Sequence, residues 1–172
     1  MKSITSFCFV IVSALFLFQI NTATADLITT ACGTALDKKF CESSLRSQPE
    51  SKKADLNGLA RIALNLASTN GNKVQNQVSQ LLKKESDKNR KAALRDCVEN
   101  YQSALEQIKN SATALASKRY SDVNTWVSAA MSAGASCEEG FKSGQSPLTK
   151  SNSEFGSYCG TALAVTNKAS GS

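Results

Sequence analysis

Apolar residues recur at intervals of three and four over most of this chain, a period that belongs to helices rather than strands. The first long stripe runs from about Ser51 to Lys84 and carries Leu56, Leu59, Ala63, Leu66, Asn70, Val74, Val78 and Leu81. Asn70-Gly71-Asn72 interrupts it, yet the spacing stays in phase, so the pattern predicts one long helix distorted at that point. The second stripe runs from about Asp87, a suitable N-cap, to Ser117. It carries Leu94, Cys97, Val98, Tyr101, Leu105, Ile108, Ala112 and Leu115. The third opens near Ser121, another candidate cap, with Val123, Trp126, Val127, Ala130, Ala133 and Cys137. The fourth follows a loop from Gly140 to Pro147 and carries Leu148, Asn152, Phe155, Cys159, Ala162 and Val165. The two prolines, Pro49 and Pro147, fall between periodic segments, where they punctuate. Four amphipathic helices with short connections predict an all-α, up-down-up-down four-helix bundle over 51–170. Small residues in the third helix predict a close helix approach around Trp126, itself expected as a core side chain.

The chain ahead of the bundle divides in two. Lys2, the apolar run Phe7 to Ile20 and the small-x-small site Ala23-Thr24-Ala25 read as a secretory signal over 1–25. The run is shorter than the roughly 20 residues a membrane span needs, so no membrane association is expected once the signal is removed. The mature chain then begins at Asp26 and forms one domain, 26–172, whose first part, 26–48, is a short helical hairpin around Cys32 and Cys41. Removing Lys2 leaves 19 basic and 14 acidic residues, a net +5. The basic residues are scattered without aromatic interleaving, which argues against nucleic acid as a partner.

Histidine is absent. That removes Ser-His and Cys-His nucleophile activation and the commonest zinc ligand, so no catalytic residue, metal or cofactor is expected. Cys8 leaves with the signal, so six cysteines minus one gives five. In a secreted chain five imply two disulfides and one spare thiol. Five choices of spare and three pairings each make fifteen arrangements. Local spacing favours Cys32–Cys41. Cys97 and Cys137 lie on inward stripes of antiparallel neighbours, which favours their pairing. Cys159 is then a buried free thiol.

The stretches ACGTALDKKFCESSL, ALRDCVENYQSAL and DVNTWVSAAMSAGASCEEGF together resemble the plant invertase and pectin methylesterase inhibitor family across the whole mature chain. The resemblance implies a bundle preceded by a hairpin, the disulfides 32–41 and 97–137, and an apoplastic protein. It implies no enzymatic activity, but non-covalent 1:1 inhibition of a carbohydrate-active enzyme. Family members that act on invertase look as though they insert a Pro-Lys-Phe turn between the second and third bundle helices. The matching turn here is Lys118-Arg119-Tyr120, without the proline. Members that act on pectin methylesterase look as though they lay bundle helices across the substrate cleft. ENY, SAA and the Trp126 region sit closer to that branch, while the tail from SPLTKSN onward also resembles invertase inhibitors. Occlusion of a pectin methylesterase is therefore the expected function, with invertase inhibition and a non-inhibitory secreted helical protein as alternatives. The expected interface is Glu99, Ser103 and Glu106 on the outward face of the second helix, the turn Lys118, Arg119 and Tyr120, and Asn124.

Overall fold

The computed structural model describes residues 27–141 and 146–171. The expected signal, Cys8, Asp26 and the middle of the loop before Pro147 lie outside the described residues. Everything regular among the described residues is helical. Helix α1 covers 27–31, and α2 covers Lys38–Arg46. A 3₁₀ turn, Pro49–Lys53, leads into α3, Leu56–Lys84. Helix α4 covers Lys88–Ala116, α5 Tyr120–Met131, α6 Ala133–Glu139 and α7 Thr149–Ser170.

Three aspartates start the helices they precede. Asp37, Asp55 and Asp87 each accept a hydrogen bond from the backbone N–H three residues on, at 2.9, 2.7 and 2.9 Å. Each satisfies a donor that the first helical turn otherwise leaves unpaired. The expected cap at Ser121 is not used. Helix α5 begins one residue earlier, because the carbonyl of Arg119 already receives the N–H groups of Asp122 and Val123. The first bundle helix likewise starts at Leu56 rather than near Ser51, since Pro49 diverts that stretch into the 3₁₀ turn.

Helices α3, α4, α5–α6 and α7 close a ring in which α3 packs on α4 and α7, and α5 packs on α4 and α7. The stripes face inward largely as their spacing predicts. In α4 the stripe turns from Ile108 to Ser111 and Leu115, which are buried, and leaves Ala112 exposed. The third bundle helix is broken at Ser132. There the Ser132 hydroxyl donates to the Ala129 carbonyl at 2.8 Å, a side-chain intrusion of the kind that bends helices. The close approach also lies further along than expected. A Cβ on Gly134 would stand 3.1 Å from the Asn152 carbonyl oxygen of α7. Trp126 is half-buried and packs on the margin of the core.

Asn70-Gly71-Asn72 neither breaks nor caps α3, and Asn70 and Gly71 are buried inside it. A Cβ on Gly71 would lie 2.9 Å from the Phe155 ring and 3.0 Å from Leu105, so this glycine lets α7 and α4 meet α3 closely. The hairpin sits on the outside of α7, where Phe40 meets Tyr158 edge-on at 4.9 Å between ring centroids.

Both expected disulfides are present. Cys32–Cys41 joins the turn after α1 to α2 with Cα atoms 5.8 Å apart, and Cys97–Cys137 joins α4 to α6 with Cα atoms 4.7 Å apart. Cys159 is free and buried on α7.

Candidate functional site

The turn between α4 and α5 is built from backbone hydrogen bonds. Arg119 N–H donates to the Ala114 carbonyl and Lys118 N–H to the Leu115 carbonyl, both at 2.9 Å. This is the Schellman arrangement, which requires a left-handed residue past the helix end. Lys118 occupies that place with φ of 54°, the only non-glycine residue with positive φ among the described residues. A left-handed conformation costs an L-residue roughly 1–2 kcal/mol, and glycine escapes it. Lys118→Gly is therefore expected to raise stability by about 0.5–1 kcal/mol after the glycine's own entropy loss. A urea titration showing a higher midpoint at unchanged slope checks it.

The side chains that follow turn back onto the bundle. Arg119 bonds to Asp122 at 2.8 Å, with both groups substantially exposed. The Tyr120 hydroxyl donates to Asn57 Oδ1 of α3 at 2.8 Å, and its ring is half-buried. Asn124, also half-buried, donates to Asn167 Oδ1 of α7 at 2.6 Å. These contacts tie the first turns of α3 and α5 to the last turn of α7, so one end of the bundle is cross-linked by side-chain hydrogen bonds.

A groove of about 420 Å³ runs beside this turn. Its α3 wall is Asp55, Asn57, Gly58 and Arg61, and its α4 wall is Ala112, Leu115, Ala116 and the adjoining Lys118. Of the expected interface residues, the structure brings Lys118, Arg119, Tyr120 and Asn124 together at this end. Glu99, Ser103 and Glu106 are exposed and share the outward face of α4. Glu106 is ten residues from Ala116, or roughly 15 Å along the helix, and Glu99 is roughly 25 Å away. They form a strip leading away from the turn.

The other end carries a polar network that sequence reasoning did not identify. Buried Tyr101 donates its hydroxyl proton to Asn152 Oδ1 at 2.7 Å. The Asn152 amide donates to the Glu138 carboxylate, which also accepts from Ser146 at 2.7 Å and Thr149 at 2.8 Å. The network joins α4, α6 and α7. The signal available was an asparagine at an apolar-stripe position of the fourth helix.

Burial, with smaller contributions from Cys159 and Glu138, pushes the Tyr101 phenol above its ordinary range. Burial also pushes the Cys159 thiol from an ordinary 9.0 up to about 12. The folded chain thus holds this proton more tightly than the unfolded one. The associated stability is complete below about pH 9 and lost as pH rises toward about 12. Thermal midpoints measured from pH 8 upward are expected to fall less steeply for Cys159→Ala than for the wild type.

Among the described residues no group of three or more His, Cys, Asp or Glu could hold a metal ion. No helix among them is long and apolar enough to cross a membrane. What this geometry defines is a disulfide-stapled four-helix bundle led by a helical hairpin, with side-chain hydrogen bonds at both ends and a long exposed helix face. The chain belongs to the plant invertase/pectin methylesterase inhibitor family, whose sequence model matches residues 26–165. Members of that family are inhibitor proteins rather than catalysts. A protein of Platanus acerifolia named "Putative invertase inhibitor" is 33% identical, over 96% of this chain and 97% of its own. "Pectinesterase inhibitor 2" of Arabidopsis thaliana is 32% identical, over 92% of this chain and 94% of its own. The crystal structure of a mutant form of a pectin methylesterase inhibitor from Arabidopsis matches with a TM-score of 0.72 at 25% identity. It covers 81% of this chain and 95% of that one.

Proposed function

We propose that this inhibitor acts on a cell-wall pectin methylesterase, binding it 1:1 and covering its substrate cleft with the exposed face of α4 and the adjoining bundle end. The observation that carries this reading is the fold-back of the turn. Tyr120 is held by Asn57 and Arg119 by Asp122, and the backbone is closed by two Schellman hydrogen bonds. A turn so tied has little reach for insertion into a deep active site, which is the mode expected of an invertase inhibitor. A rigid helix face needs no such reach. It also loses little conformational freedom on binding, because the disulfides and the side-chain links order it beforehand.

In this reading Glu99, Ser103, Glu106 and Lys118 meet the enzyme directly, with Arg119 at the edge. Tyr120 and Asn124 contribute by holding the end in shape. The chain is taken to be secreted to the apoplast after loss of 1–25, leaving the single inhibitor domain 26–172. Two disulfides suit that oxidising compartment. The second reading, invertase inhibition, is favoured by the relative named for that activity and by the basic-aromatic pair Arg119-Tyr120. The test is to incubate the purified chain with a pectin methylesterase and, separately, with an acid invertase. Stoichiometric loss of esterase activity with invertase unaffected is expected. Loss of invertase activity alone would overturn the proposal.

A further inference from the structure

The groove beside Lys118 has a charge that its own surroundings do not satisfy. Arg61, exposed on the second turn of α3, faces Lys118 across it. Neither side chain has a hydrogen-bond or ion-pair partner among the described residues. The other polar groups on the walls are already committed. Asp55 caps α3 through Gly58 N–H, Asn57 Oδ1 receives the Tyr120 hydroxyl, and nearby Arg119 is held by Asp122. Two cations, one from α3 and one from the turn after α4, thus share a hollow of about 420 Å³ with the single carboxylate of Asp55, over an apolar α4 wall of Ala112 and Leu115.

We infer that Arg61 and Lys118 together seat an acidic side chain, an Asp or Glu, presented by the target enzyme. This rests on the pectin methylesterase reading above and adds Arg61, which no expectation from the sequence included. Asp55 offsets only one of the two cations, so a second carboxylate is the group that balances this hollow. The guanidinium can grip it through two parallel N–H donors while the lysine ammonium adds a point charge. The apolar wall takes the methylene stem of the incoming side chain. An acidic polysaccharide carries carboxylates too, but no aromatic side chain lines the groove to stack a sugar face, and only two cations serve it. A protein carboxylate fits better than a polymer of regularly repeated charge.

Because Arg61 is exposed, its replacement is expected to leave the fold intact, and thermal melts with far-UV spectra confirm this for each variant. The experiment measures the inhibition constant of the full mature chain against a pectin methylesterase at low and high salt. Wild type, R61E, K118E and R61K are compared, with a polygalacturonate oligomer as a separate binding probe. R61E and K118E are expected to weaken inhibition roughly tenfold or more at low salt, with a flatter salt dependence, while R61K, which keeps the charge but not the paired donors, falls between them and wild type. Wild type that inhibits beside R61E and K118E variants that inhibit equally well would overturn the seat alone. Oligomer binding that is lost in R61E, with inhibition unchanged, would overturn it in favour of a carbohydrate site. Wild type that leaves the esterase untouched would overturn the proposed function and the seat with it.

Discussion

Replacing Cys97 and Cys137 together with alanine is expected to lower stability by about 4 kcal/mol. The bond spans 40 residues, and freeing that loop enlarges the conformational freedom of the unfolded chain far more than it alters the folded one. The other bond, Cys32–Cys41, spans 9 and contributes about 3 kcal/mol on the same reasoning. A loss of about 4 kcal/mol is a large share of the roughly 5–15 kcal/mol that holds a domain folded. At this chain length it lowers the thermal midpoint by about 8–16 °C. The measurement is a reversible melt of the double variant beside the wild type, each without reductant. A shift under about 2 °C would mean that the unfolded chain keeps α4 near α6 without the bond.

The second large effect is expected at Asn152. This residue takes the Tyr101 proton on one side and gives its own to Glu138 on the other, inside the contact among α4, α6 and α7. Asn152→Leu keeps the volume and removes both functions. It leaves a buried phenol without an acceptor and a carboxylate short of one donor. Each such deficit costs about 1–3 kcal/mol, and the sum is expected near 3 kcal/mol. Tyr101→Phe alone should cost about 1 kcal/mol, since it leaves only the Asn152 oxygen unmatched. The double variant should therefore lose less than the two single losses added, because it no longer strands the phenol. Urea midpoints for the four proteins give the coupling directly. Strict additivity would show that the Tyr101–Asn152 hydrogen bond adds nothing to folding.

The helical stripes and the two disulfides were legible because they depend on spacing. Leu94, Cys97, Tyr101 and Ile108 fall at helical intervals whatever they pack against. What failed to read correctly depended on the partner. One helix runs through Asn70-Gly71-Asn72 as the spacing predicts, but the role of Gly71 was not legible, since it serves as a seat for Phe155 of a helix more than eighty residues later. Ala112 and Ser111 are equally small, and hydropathy chose the wrong one, because the geometry of the surrounding ring decides which faces inward. The break at Ser132 follows from a side-chain hydrogen bond that periodicity does not register.

The candidate site was legible only in outline. The turn Lys118-Arg119-Tyr120 was visible as a connection between two helices. That Tyr120 and Asn124 spend their polar atoms on Asn57 and Asn167 is long-range pairing, and spacing along the chain carries no trace of it. Arg61 was hidden for a related reason. An exposed arginine on a polar helix face is unremarkable until the last turn of α4 is set beside it.

The order of the cysteines along the chain has a consequence for biosynthesis. A polypeptide emerges from the ribosome N-terminus first, and structure forms as it does so. The four bonded residues, Cys32, Cys41, Cys97 and Cys137, all leave before Cys159. Both pairs therefore emerge ahead of Cys159, the first complete 118 residues before it and the second 22 residues before it. The helix that delivers it, α7, packs against α2, α3, α5 and α6 and completes the core, carrying its thiol into the interior as it docks. Vectorial synthesis thus gives the two bridges a head start over any pairing with Cys159. Refolding the reduced domain 26–172 in a test tube presents its five cysteines at once and loses that ordering.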